Sequence, residues 1–226
     1  MAVAPPTRPS EAIEDYAKAI YALQQRGERC TVATNDLAAR LGVTAGSASA
    51  MIKKLAERGF VEHVPYHGVQ LTPKGERVAL EVMRHHRLLE LYLSEHLGVP
   101  WDRVHEEADA LEHVLSEDLE ARIAAKLGNP THDPHGDPIP AADLSIEESE
   151  TRSLADLTPG QHGHFVRVSD SDPAMLRYLD ERGVRLGARL EVLERQPFGG
   201  PLTVRFRTNE QILGGALAAA MRVKLD

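Results

Sequence analysis

Along residues 10–26 (SEAIEDYAKAIYALQQR) apolar side chains recur at Ile13, Tyr16, Ala17, Ile20 and Leu23, with Ser10 just ahead of them. That spacing lines one face of a helix, and a serine at its start can cap the free amides of the first turn. Gly27 is the expected stop. Farther on, the pattern predicts a short helix over 35–41, a tight turn at Gly42-Val43 and a longer helix from Thr44 to Arg58, with Ala38 small enough for two helices to approach closely. Helix, turn and helix in that order is the arrangement that seats a second helix in the major groove of DNA. Phe60–Val64 and Val69–Leu71 are short β-prone runs flanking Pro65-Tyr66-His67-Gly68, which reads as a hairpin. Together these elements predict a winged helix.

Pro73 suits the first turn of the next helix, and an apolar-rich stretch through Val78, Val82, Leu88, Leu89, Leu91 and Leu93 carries that helix to about Leu97. Two further helices are expected over 102–115 and 117–127. Residues 129–150 hold four prolines and a run of acids, and read as a linker. Beyond it, HFVRVSD, RLEVLER and LTVRFRT resemble short strands separated by turns, with one helical turn near Ala174–Arg182, so 151–226 predicts a small β-barrel. The expected organisation is a disordered arm (1–10), a winged-helix domain (11–75), a helical domain (76–128), the linker (129–150) and the barrel (151–226). The fold class is mainly α with small β parts.

Composition narrows this picture. Aromatic residues make up only 4 % of the 226, so the cores must be built from Leu, Val, Ile and Ala. A lone cysteine, Cys30, forms no internal disulfide and gives no sign of an oxidising compartment. No apolar run has the length of a membrane span and no signal-peptide core is present, so a cytoplasmic protein without a membrane partner is expected. The net charge of -8 is unevenly spread: residues 71–150 carry eighteen Asp and Glu against seven Lys and Arg. Such a block is either a solvated surface or a cation site.

Positions within the acidic block suggest chemistry. On the expected 102–115 helix, His105, Asp109, Glu112 and His113 fall at i, i+4, i+7 and i+8 and share one face, beside an apolar stripe of Val104, Ala108, Leu111 and Leu115. Imidazole and carboxylate together suit a divalent transition metal; the same residues also suit a solvated acidic face with two surface histidines. His86 and Glu90, at i and i+4, could chelate one ion, although such pairs are common on exposed faces. His85 points roughly 100° away and is expected at the surface. In DPHGDPIP (133–140) a histidine between two aspartates in a proline-locked loop is either a preformed ligand or a polar linker, and spacing alone favours the linker. The Thr44–Arg58 helix opens on the small residues Thr44, Ala45, Gly46, Ser47 and Ser49 and ends on Lys53, Lys54 and Arg58. Small side chains admit close approach to DNA, hydroxyls bond phosphates or base edges, and the cations meet the backbone. No Arg, Asn or Gln opens this helix, so strong bidentate base readout is not indicated.

These residues, in order, resemble the diphtheria toxin repressor family of metal-dependent transcriptional regulators, and within it a manganese-responsive actinobacterial branch. The resemblance rests on EDYAKAIY (14–21), NDLAARLGVTAGSASAMIKKLAERGFVEH (35–63), YHGVQLTPKG (66–75), VMRHHRLLELYL (82–93), VHEEADALEHVLS (104–116), DPHGDPIP (133–140) and SDSDPAMLRYL (169–179). It implies an N-terminal winged helix, a central helical dimerisation and metal-binding domain, and a C-terminal barrel like an SH3 or FeoA domain. By position it implies a primary, activating site of Asp15, Asp109, Glu112 and His113, with His86 a ligand that some members use there and others in a second site. Glu90, His105, Asp133, His135 and Asp172 match an ancillary site. Iron-responsive members carry Met and Cys where this chain has Asp15 and Asp109. Replacing sulfur by oxygen donors suits Mn(II) and removes an advantage for Fe(II), Co(II) and other divalent transition metals. Lys18 stands where some manganese regulators carry a glutamate that helps bind a second, nearby ion, so that closely paired site is not expected here.

The resemblance therefore implies a homodimeric repressor that binds palindromic double-stranded operator DNA when Mn(II) is bound and so controls metal-homeostasis genes, with an Fe(II)-responsive repressor as the alternative within the family. A metallohydrolase built on the same residues would lack an HExxH-like motif and a clear general base. A metal-independent winged-helix regulator of small organic ligands would leave the His/Asp/Glu face unexplained. No enzymatic activity and no small-molecule substrate are expected.

Overall fold

The computed structural model describes residues 9–26, 31–64 and 67–226. The arm before residue 9, the stop at Gly27, Cys30 and the Pro65-Tyr66 tip of the hairpin lie outside the described residues. The chain divides into two compact units: one of Met1–His85, Glu112–Leu115 and Ala142–Leu144, the other of His86–Leu111, Ser116–Ala141 and Ser145–Asp226.

The first unit contains α1 (Glu11–Arg26), α2 (Thr34–Leu41), α3 (Ala45–Glu57), a hairpin of β1 (Val61–Val64) and β2 (Gly68–Leu71), and the opening turns of α4 (Pro73–Leu97). Its core takes Ile13, Ala17 and Ile20 from α1, Leu37 and Ala38 from α2, and Ala48, Ile52 and Leu55 from α3. Phe60, just ahead of β1, Val69 of β2 and Val78 of α4 complete it. Each large aliphatic side chain buried there contributes roughly 1.5–3 kcal/mol. Gly42, at φ 64°, ends α2; its N–H donates to the Ala39 carbonyl and that of Val43 to Ala38, an exit that needs the left-handed conformation. Thr44 then caps α3, accepting the Ser47 N–H at 3.1 Å. The two strands pair antiparallel, Val61 opposite Leu71, and Val32 bridges to Val69.

The second unit holds the rest of α4, α5 (Val104–Leu111), α6 (Glu117–Lys126), β3 (Arg152–Ser153), β4 (His162–Val168), α7 (Pro173–Glu181), β5 (Arg189–Arg195), β6 (Leu202–Phe206), β7 (Asn209–Leu213), α8 (Gly215–Ala220) and β8 (Met221–Leu225). The strands form one antiparallel sheet in the order β3-β8-β4-β5-β6-β7, with register shifts in β4 and β5 that bend it into an SH3-like form. Alternation drives its burial: Leu190 and Val192, Leu202, Val204 and Phe206, and Met221 and Val223 point inward with Phe165, Leu176 and Leu179.

Three expectations need correction. The helix foreseen over 102–115 stops at Leu111, and Glu112–Val114 form a turn. His85, expected at the surface, is 5 % exposed, because α4 is buried on almost every side between Val82 and Leu91. Within 129–150, read as a linker, residues 131–140 fold into an ordered loop: Ile139 N–H donates to Thr131, Asp133 N–H to Asp137, and Asp133, His135 and Ile139 are buried. Gly136 (φ 84°) makes that loop possible, since a Cβ there would lie 2.0 Å from the Val166 carbonyl oxygen. Among the described residues no helix is long and apolar enough to cross a membrane.

Candidate metal centre

In the first unit, α1 supplies Glu14, Asp15 and Lys18, and the turn after α5 supplies Glu112 and His113. Asp15 Oδ1 lies 2.9 Å from His113 Nε2, and Glu112 Oε1 lies 3.6 Å from the same nitrogen. Asp15, Glu112 and His113 thus present one donor atom each to a common point. On the far side of the imidazole, His113 Nδ1 donates to Glu14 Oε2 at 2.6 Å. Glu14 is buried, and its bond fixes which ring nitrogen faces the other two acids. Sequence reading missed Glu14. Lys18 Nζ reaches both Glu112 oxygens, at 2.8 and 3.0 Å, and His85 Nδ1 donates to the Glu112 carbonyl at 3.2 Å. Burial pushes the Asp15 carboxyl up, against the pull of His113. Burial works against a charged His113, but the bond to Glu14 and the charges of Glu112 and Asp15 outweigh it and raise its pKa.

In the second unit a larger cluster gathers around Glu90, which is 1 % exposed. Its Oε1 lies 3.0 Å from His86 Nε2 and 3.2 Å from His105 Nδ1, and Asp170 Oδ2 lies 3.0 Å from His105 Nδ1. The other imidazole nitrogens face Asp109: His86 Nδ1 at 3.2 Å and His105 Nε2 at 3.4 Å. Glu90 Oε2 lies 3.7 Å from His135 Nδ1, and Asp133 completes this side. Asp133 Oδ1 accepts the N–H groups of His135 and Asp137, and Arg87 and Arg167 lie beside Asp137 at 3.6 and 3.5 Å. Burial disfavours the Glu90 charge, yet the surrounding imidazoles hold its carboxyl well below the usual range. The bond to Asp170, then that to Glu90, raises His105 to about 9. Burial opposes the charged form of His135, but Glu90 and Asp133 overcome it and bring that group to about 9 as well. Asp133, buried beside Glu90, is pushed well up.

The expected ligands therefore divide. Asp15, Glu112 and His113 meet in the first unit; His86, Glu90, His105, Asp109, Asp133 and His135 belong to the second. The single helical face foreseen for His105, Asp109, Glu112 and His113 does not exist, because α5 ends between the two pairs. The structure does not bring Asp172 into either group of donors. Its carboxylate caps α7, accepting the Ala174 N–H at 2.9 Å ahead of Pro173, and Asp170, two residues earlier, is the acid that faces His105.

On α3, Ala48, Ile52 and Leu55 are turned into the core, whereas Thr44, Ala45, Gly46, Ser47, Ser49, Lys53 and Lys54 are all exposed. Ser49 Oγ donates to the Ala45 carbonyl at 2.9 Å, which leaves its lone pairs to accept. The small residues and the two lysines therefore share an outward surface on the second helix of the helix-turn-helix.

Comparison with known proteins finds a match for each of three successive parts of the chain. Residues 9–69 match the description "Iron dependent repressor, N-terminal DNA binding domain", 72–141 match "Iron dependent repressor, metal binding and dimerisation domain", and 152–225 match "FeoA domain". The iron-dependent repressor IdeR of Mycobacterium tuberculosis is 32 % identical over 95 % of this chain and 97 % of its own. Among solved structures, a manganese-dependent transcriptional repressor in complex with manganese superposes with a TM-score of 0.89 at 44 % identity, covering 95 % of this chain and all of that one. The manganese regulator SloR superposes with a TM-score of 0.77 at 30 % identity, covering 95 % and 98 %.

Proposed function

Because the chain belongs to the iron-dependent repressor family, whose members are metal-dependent, DNA-binding transcriptional repressors and not enzymes, we propose that it represses transcription in response to Mn(II), as a homodimer on a palindromic operator. The observation that carries the choice of metal is the donor set. Asp15, Glu112 and His113 offer oxygen and imidazole nitrogen, and no cysteine enters either cluster among the described residues. Hard oxygen donors suit Mn(II), whereas thiolate would favour softer ions. The 44 % identity to a repressor solved with manganese supports the same reading.

The proposed activating ligands are Asp15, Glu112 and His113, with Asp109, three residues before Glu112 in the chain, and His86 added from the family resemblance. A bound divalent ion supplies the positive charge that lets these carboxylates stay together. Asp15 then holds α1 to the turn that carries His113, and α1 shares its core with α3, so the chain's own packing passes that restraint to the DNA-facing helix. Holding an ion at these residues would favour the arrangement competent for DNA over the others the chain adopts. Thr44, Ala45, Gly46, Ser47 and Ser49 would face base edges and phosphates, and Lys53 and Lys54 the backbone.

The test is anaerobic titration of operator binding with Mn(II) and with Fe(II), on a site selected from random duplexes by the manganese-loaded protein. Tight binding should require Mn(II), and Asp15→Ala and His113→Ala should each weaken it at least tenfold. Equal binding by the metal-free protein and both variants would overturn the reading. The similarity to IdeR favours one rival, an Fe(II)-responsive repressor, and Fe(II) activating at lower free concentration than Mn(II) would establish it.

A further inference from the structure

We propose that α3 reads A·T pairs through two neighbouring groups: the Ala50 methyl against a thymine methyl, and the Ser49 hydroxyl as acceptor from an adenine amine. The inference rests on the reading of the chain as an operator-binding repressor, whose residues 9–69 match a DNA-binding domain, and it names what that helix recognises. At about 100° per residue, Gly46, Ala50 and Glu57 lie opposite the buried Ala48, Ile52 and Leu55, and so run along the outermost line of α3. Ser49 and Lys53 flank that line on one side and Ser47 and Lys54 on the other, all of them exposed. From Gly46 to Ala50 the line carries nothing longer than a Cβ, so the backbone itself can approach the groove floor. Glu57, farther along, is an acid that the phosphates repel, which confines the contact to the first turns.

Ser49 is the deciding polar group. Its hydroxyl has a single proton, which it donates to the Ala45 carbonyl at 2.9 Å, the bond a helical serine makes back by one turn. Only lone pairs remain, so Ser49 bonds base amines and not base acceptors. In the major groove adenine N6 and cytosine N4 carry amines, whereas guanine offers acceptors alone. The Thr44 and Ser47 hydroxyls are engaged with each other at 2.9 Å, and Thr44 also takes the Ser47 N–H. Ala50 has no side-chain atom that can hydrogen-bond, so it gains only from an apolar base edge, and the thymine methyl is the apolar group of the major groove. An amine for Ser49 and a methyl for Ala50 occur together on A·T pairs. Nothing on the outermost line replaces them with the bidentate contact that Arg, Asn or Gln makes.

The duplex selected by the Mn(II)-loaded, full-length protein is rebuilt with base analogues placed one position at a time, and affinities are compared by fluorescence anisotropy at fixed salt. Deoxyuridine for thymine removes only the methyl, and at the position under Ala50 it should weaken binding about fourfold. Purine for adenine removes the N6 amine and should weaken binding about fivefold under Ser49, whereas deaza-adenine lacking N7 should bind as adenine does. Ser49→Ala should erase the loss on the purine duplex and Ala50→Gly the loss on the deoxyuridine duplex, each leaving the other loss in place. Both residues are exposed, and if either variant melts early the response of the natural protein to the analogues decides by itself. Unchanged affinity at every position on either the deoxyuridine or the purine duplexes would overturn the readout and leave the repressor reading intact. So would a loss on deaza-adenine equal to that on purine. A Mn(II)-loaded protein that prefers no duplex over random sequence would overturn both.

Discussion

Lys18 brings a positive charge to Glu112 before any ion does. Both oxygens of that buried carboxylate lie within 3.0 Å of its ammonium. Without it, Glu112 would lose the ammonium that holds both of its oxygens, at a cost of about 1–3 kcal/mol to the metal-free protein. A divalent ion on Glu112 must displace the ammonium or tolerate it nearby, and both oppose binding. Lys18→Met should therefore lower the melting temperature of the metal-free protein and tighten Mn(II) binding by about tenfold, roughly 1.4 kcal/mol. Calorimetric titration checks it, and an affinity unchanged or weakened would mean that Lys18 swings clear at no cost. The residue scale is also where the structure separates two near neighbours, turning Asp170 and not Asp172 towards His105. Asp170 and Asp172 flank one serine, and chemistry alone does not separate them. Pro173 does: a proline opening a helix makes the residue before it the cap, and a capping carboxylate is already engaged. Glu14 carried a signal too, since it falls with Ala17 and Tyr21 on the buried face of α1, where a carboxylate needs a partner.

At the scale of elements, periodicity located nearly every helix but not the break that matters. Residues 104–115 keep helical spacing of apolar side chains to the end, so nothing in the pattern stops α5 at Leu111. What stops it is the next helix and a distant side chain. Ser116 must be extended (φ −81°, ψ 151°) to cap α6 through Leu119, and the Glu112 carbonyl accepts from His85 in place of an amide one turn on. Neither partner is visible in a window of twelve residues. The strands of the C-terminal unit were easier where alternation was strong, as in RLEVLER, and were not singled out where it was weak, as in Asn209–Leu213. By contrast, the start of α3 was fully legible. Thr44 caps it with two partners, the Ser47 amide and the Ser47 hydroxyl, at 3.1 and 2.9 Å. Thr44→Ala should cost about 1 kcal/mol of stability in urea unfolding of the metal-free protein. Thr44→Asn should recover most of it, and equal stability of Thr44→Ala and the natural protein would show that the cap contributes nothing.

For the whole molecule, the acidity of the central third meets the histidines at a few buried positions. Of its eighteen acids, Glu90, Glu112 and Asp133 are buried, and each stands against a histidine in one of the two clusters. That pairing sets the pH dependence. His105 and His135 are raised to about 9 in the metal-free protein, and His113 is raised as well. An unfolded imidazole titrates near 6.5, so folding holds these protons more tightly than the unfolded chain does. Their contribution to stability is complete below about pH 6.5 and disappears as pH rises through about 9. Metal ligation runs the other way, because each imidazole must lose its proton to bind, so Mn(II) competes with fewer protons at each step upward. The melting temperature of the chelator-treated protein should therefore fall between about pH 6.5 and 8.5, while that of the Mn(II)-loaded protein holds or rises. At a free Mn(II) concentration near one hundred times Kd each site adds about 2.7 kcal/mol, enough to resolve by scanning calorimetry. The gap between the two curves should widen with pH, and proton release on Mn(II) binding, measured in buffers of different ionisation enthalpy, should shrink over the same interval. A gap that narrows as pH rises would mean that the buried histidines are already neutral before the metal arrives.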